Sequence, residues 1–111
     1  MRPPLALLLL LGAAVLEAGG DAVVRRGLHA HGAAWRLGLI LAGGAVLMAY
    51  GVTVNLPPWD FGRLLGVYVT LFFLAAQIIN ALFFGVAPSM SIILGGALVI
   101  AGGLVMTFWH A

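Results

Sequence analysis

The stretch Leu5–Val24, LALLLLLGAAVLEAGGDAVV, decides the fold class. Its residues are apolar or small except for Glu17 and Asp21, two of the three acidic residues in the chain. A bilayer core of ~30 Å takes about 20 helical residues to cross, and this window has that length. Pro3 and Pro4 precede it, where proline suits a helix start. The apolar character continues to Val24, beyond a usual signal-peptide core, so the segment reads as a retained span rather than a cleaved leader.

The rest of the chain agrees. Of 111 residues, 64% are hydrophobic and 7% charged, with a mean hydropathy of +1.20. A soluble domain carries about a quarter charged residues, so lipid is the expected solvent for most of this chain. Three further windows fit a span: about Trp35 to Val54, Phe61 to Phe84, and Ser89 to Trp109. Pro57-Pro58 follows the second and Pro88-Ser89 opens the fourth. The expected fold is a single all-α membrane domain over residues 1–111. It has four transmembrane helices, with short connections that make sequence neighbours antiparallel. Trp35, Trp59 and Trp109 fall at span ends, as interfacial anchors do.

The basic residues are five arginines, too scattered to read as a nucleic-acid surface. There is no cysteine, and His29, His31 and His110 lie at span ends without a carboxylate cluster, so no metal or cofactor is expected. No nucleophile–base pair or phosphate loop appears, which argues against an enzyme. Arg25, Arg26 and Arg36 flank the first connection, while Arg2 and Arg63 lie on the opposite side. That bias is thin, and charge alone leaves fixed and dual orientation both open.

Helical periodicity sorts the span faces. In the fourth span, Gly95, Gly96, Val99, Gly102, Gly103 and Met106 share one face. Smooth glycine faces let helices approach closely in lipid, and the stripe reads as a dimer interface, with intrachain packing as the alternative. In the third span, Gly62, Gly66, Thr70, Phe73, Gln77 and Asn80 form a second stripe. It reads as the wall of a cavity, Gly66, Thr70, Gln77 and Asn80 lining it, or as interhelical hydrogen bonding. Tyr68 lies on the other side of that helix and ranks below the stripe. Gly38, Ala42, Ala45 and Ala49, with Tyr50, Thr53 and Asn55, make the second span mostly a packing element.

Glu17 lies near the middle of the first span at 1.5 Å per residue. Charge at a helix centre costs about 2.5–3.5 kcal/mol on insertion scales, so Glu17 must face the bundle or a cavity. No cation in another span centre neutralises it; it stays protonated or binds a cation. Asp21 and Arg25 follow at i+4 and i+8 on nearly the same face, a spacing that suits an ion pair between them near the interface. Gly20 beside them leaves room for a substrate or for a close helix.

Glu17, Gly20 and Arg25 resemble the first helix of the small multidrug resistance transporters, within the drug/metabolite transporter superfamily. GGALVIAGG, Gly95 to Gly103, is similar to that family's glycine heptad, and Pro57 also matches. FGRLLGVYV, Phe61 to Val69, with Gly85, Pro88 and Gly95, resembles the related YnfA-type small membrane proteins. The resemblance implies an antiparallel, dual-topology homodimer in a bacterial or archaeal inner membrane. Protons and a small cationic or lipophilic substrate would compete there for Glu17, with Asp21 beside it, in multidrug efflux by antiport. Two features differ from that family: Tyr68 lacks a partnering Trp, and Asp21 stands where an uncharged residue is usual. The alternative is a subunit that moves a lipid or lipid-linked sugar, working as a heteromer; a third reading is a membrane scaffold that transports nothing.

Overall fold

A computed structural model describes residues 3–109. Arg2 and His110, which enter the charge and histidine readings above, lie outside the described residues. The chain forms α1 (Pro3–Leu28), α2 (Ala33–Val54), α3 (Phe61–Phe83) and α4 (Met90–Phe108). Each is long and apolar enough to cross a membrane, and no strand forms among the described residues. This is an all-α, four-span membrane architecture. The spans match the sequence windows except at α1, which runs on through Arg25 and Arg26 to Leu28. Basic residues at a helix C-terminus favour that continuation, because the dipole there is negative.

The helices lie in the order α2, α1, α3, α4, each packed on its neighbours in that series. The chain measures 53 × 34 × 18 Å, so it is little more than one helix layer thick in its shortest direction. α1 is central, and its buried face is made of Ala6, Leu10, Ala13, Ala14, Ala18 and Ala22. Alanines at these three- and four-residue steps present a smooth stripe, which is what helix contact in lipid rewards. Leu64, Val67, Tyr68 and Ala75 of α3 and Val54 of α2 complete the core.

α1 and α2 cross where glycine meets glycine. Gly20 and Gly43 are both buried, and a Cβ on Gly43 would lie 2.9 Å from the Gly20 carbonyl oxygen and 2.9 Å from the Val24 nitrogen. Gly20 therefore seats α2, with Leu47 also over it. Close helix approach is one of the two roles its small size allows.

α3 begins at Asp60, whose carboxylate accepts from the Arg63 N–H at 3.1 Å. It ends at Gly85, whose φ of 66° turns the chain so that the Val86 N–H reaches the Asn80 carbonyl at 3.2 Å. Ser89 caps α4 through the Ile92 N–H. At the far end of α4, Arg63 donates from Nε to the Met106 carbonyl (3.3 Å) and from Nη2 to the Thr107 carbonyl (3.2 Å). A cation is thereby placed at the negative end of a helix dipole.

The glycine stripe of α4 divides. Gly96 lies against the Phe73 ring, Gly103 against Thr70, and Met106 against Gly66. The Thr70 hydroxyl donates to the Val99 carbonyl at 3.3 Å. This half of the stripe is the intrachain α3–α4 seam. Gly95 and Gly102 have open space where a Cβ would stand.

Candidate functional site

Glu17 sits close to the midpoint of α1 and is half-buried. The Tyr68 hydroxyl donates to Glu17 Oε1 at 2.6 Å and lies 3.4 Å from the Ala13 carbonyl oxygen. The contact lies at the short end of the range for O–H···O hydrogen bonds. Tyr68 is held for this by aromatic neighbours on both sides. Tyr50 of α2 has its ring 5.7 Å away, and Phe72, one turn along α3, is at 6.1 Å. Three helices thus converge on one carboxylate: α1 carries it, α3 donates to it, and α2 buttresses the donor.

One turn further along α1 the seam with α3 opens into a groove of about 320 Å³. Asp21 and Arg25 line its α1 wall; Gln77 and Asn80 line its α3 wall; Phe72 and Phe84 stand at its ends. Ala18, Ala22 and Ala76 make it wide by being small. Asp21 and Arg25 are both exposed there. They do not close the ion pair their spacing suggests: among the described residues Asp21 has no ionic partner, and the Arg25 guanidinium stands over Phe84, 5.9 Å from the ring centroid. Arg26 stacks on Phe83 at 4.1 Å and donates to the Phe83 carbonyl at 3.0 Å. Two adjacent aromatic rings at the end of α3 therefore draw both arginines away from α1.

The α3 stripe is split by the same geometry. Gln77 and Asn80 reach the groove. Gly66 and Thr70 face α4 instead, against Met106 and Gly103. The physical reason is that small residues admit the neighbouring helix, and α4 occupies the space they leave. Tyr68, placed low by that stripe, is the residue that reaches Glu17. Its signal was available in its own periodicity: Leu64, Tyr68, Phe72, Ala75 and Ile79 recur at helical steps and form the face turned to α1. Thr53 and Asn55 bond carbonyls one turn back in α2, at 2.8 Å each, and take no part in the site.

A second cavity, about 280 Å³, flanks the same seam and is lined by Gly19, Ala22, Val23, Ile79, Leu82 and Phe83, with no polar side chain. The fold and site thus define a multi-pass membrane protein with a half-buried carboxylate beside a polar groove. Comparison with family models, curated proteins and solved structures finds no match to this chain.

Proposed function

We propose that the chain is a proton-coupled exporter of small cationic or lipophilic molecules, of the small multidrug resistance type, working as a homodimer in a bacterial or archaeal inner membrane. The observation that carries this reading is the Glu17–Tyr68 pair. A carboxylate near the centre of a span, held by one hydroxyl at 2.6 Å and next to an open groove, can exchange a proton for a cation. Asp21, Gln77 and Asn80 give the substrate polar contacts on its way to Glu17. No step requires an enzyme's nucleophile or a bound cofactor.

The experiment is flux in proteoliposomes under an imposed pH gradient, with a small organic cation as probe. Cation uptake matched by proton efflux supports the reading; cation movement indifferent to the gradient overturns it. Tyr68→Phe removes the donor without changing ring packing. Hydrogen bonds to charged groups contribute roughly 1.5–3 kcal/mol, so cation affinity is expected to fall about ten- to hundredfold. Equilibrium binding at fixed pH measures this.

Dimerisation through α4 is expected to depend on Gly95 and Gly102, the two stripe glycines with open space. Gly95→Val and Gly102→Val should each lower the crosslinked dimer yield while leaving the monomer helical. A dimer unchanged by both variants would place the interface elsewhere.

One observation favours a second reading, lipid or lipid-linked sugar translocation within a heteromer. The wholly apolar cavity at Gly19, Val23 and Leu82 shares Ala22 and Ile79 with the polar groove, so one seam offers a greasy and a polar surface side by side. Copurification of a second, different small subunit would favour it.

A further inference from the structure

We infer that the groove between α1 and α3 binds a compact zwitterion, a ligand carrying an ammonium group and an anionic oxygen group on one short frame, with the ammonium on Asp21 and the anion on Arg25. This goes beyond the cationic or lipophilic cargo of the transport reading, and it rests on that reading for the statement that the ligand is cargo.

The argument starts from charge. Asp21 and Arg25 stand one turn apart on the same groove wall, both exposed to it, and are not paired with each other. Arg25 is instead drawn over Phe84. A ligand that is only a cation satisfies Asp21 but meets the like charge of Arg25. A ligand that is only an anion meets the reverse. A zwitterion answers both and adds no net charge to the groove. The opposite wall suits the same ligand. Gln77 and Asn80 each offer a carboxamide, with two donors and an acceptor, to the ligand's remaining N–H and oxygen atoms.

Size and depth agree. At about 320 Å³ the groove lies at the small end of ligand pockets, so it takes a compact ligand. Arg25 is in the last turn of α1 and Asp21 one turn deeper, which places the groove near the boundary of headgroups and acyl chains. The same ammonium and oxyanion chemistry is carried by soluble amino-acid-like molecules and by the headgroups of zwitterionic lipids.

The test uses the purified full chain in a nonionic detergent, titrated calorimetrically with glycerophosphoethanolamine, ethanolamine and glycerol phosphate. Glycerophosphoethanolamine is expected to bind at least tenfold more tightly than either probe that carries charge of one sign only. Asp21→Asn and Arg25→Gln should each erase that advantage, whereas Asp21→Glu and Arg25→Lys, which keep the charges, should retain part of it. Ethanolamine binding as tightly as the zwitterion overturns the inference, as does an unchanged affinity in either neutral variant that still elutes as a folded helical species.

A parallel arm reconstitutes the chain in vesicles of phosphatidylethanolamine and phosphatidylglycerol and identifies retained lipid by native mass spectrometry. Selective retention of phosphatidylethanolamine, lost in Asp21→Asn, supports the inference with a lipid headgroup as the source. Binding of the soluble probe without lipid retention supports it with a soluble source. Neither binding nor retention overturns it. Titration and proton-coupled flux measured together on the parent protein separate this inference from the transport reading. Zwitterion binding with no proton-coupled flux in the parent protein overturns the transport reading alone. Intact coupled flux of a simple cation with no zwitterion binding overturns the inference alone.

Discussion

Replacing Glu17 by Gln is expected to abolish proton-coupled flux and to leave the folded chain at least as heat-resistant as the parent. The amide keeps the size of the side chain and keeps an oxygen that accepts from the Tyr68 hydroxyl, now 2.6 Å from Glu17 Oε1. What it removes is the ability to carry or release a proton. Charge near a span centre costs roughly 2.5–3.5 kcal/mol on insertion scales, so a neutral side chain relieves the fold of a burden. The expected pattern is therefore activity lost and stability held or raised, the usual sign of a group kept for function at the expense of stability. Proton efflux and cation uptake in proteoliposomes, alongside thermal melts, measure the two halves. Coupled flux retained by the Gln variant would sink the mechanism. A scaffold role makes a different forecast: the parent shows no flux, and Glu17→Leu is harmless or stabilising.

The four spans were legible because lipid imposes a simple rule. Long apolar windows must be helices, and Pro57 and Pro88 mark where they stop or start. Glu17 was legible for the same reason, as the charge too deep to be an anchor. The neighbours of each helix face were less legible. Gly66, Thr70 and Phe73 share a face with Gln77 and Asn80, yet α4 covers the first three at Met106, Gly103 and Gly96. Periodicity says which residues look the same way along one helix; it does not say which helix will stand opposite. The flat order α2, α1, α3, α4 settles that, and it turns Tyr68 rather than the small-residue stripe toward α1. The i,i+4 spacing of Asp21 and Arg25 likewise gave no sign of Phe83 and Phe84, remote in sequence, which hold both arginines by their rings.

Gly43→Ala is expected to be the most damaging single-methyl change in the chain's first half. A Cβ there would lie 2.6 Å from Val24 Cγ2, 2.9 Å from the Gly20 carbonyl oxygen and 2.9 Å from the Val24 nitrogen. Two of these three atoms are backbone and cannot swing aside, so α1 and α2 must separate along their crossing. Overpacking costs about 1–3 kcal/mol and occasionally more, and the upper part of that range applies because the obstruction is main chain. Gly20→Ala meets chiefly the Leu47 side chain, at 2.9 and 3.0 Å, which can rotate, so its cost should be smaller. Gly44→Ala and Gly38→Ala meet nothing within 4 Å and should be neutral or slightly stabilising, since alanine is the better helix former. Thermal melts in detergent rank the four variants. Separation of α2 also withdraws Tyr50 from the Tyr68 ring, now at 5.7 Å. Gly43→Ala should therefore weaken cation binding as well as stability, which Gly44→Ala, one residue along the same helix, should not. Equal melting temperatures for the Gly43 and Gly44 variants would mean that the α1–α2 crossing is not a close backbone contact at Gly43.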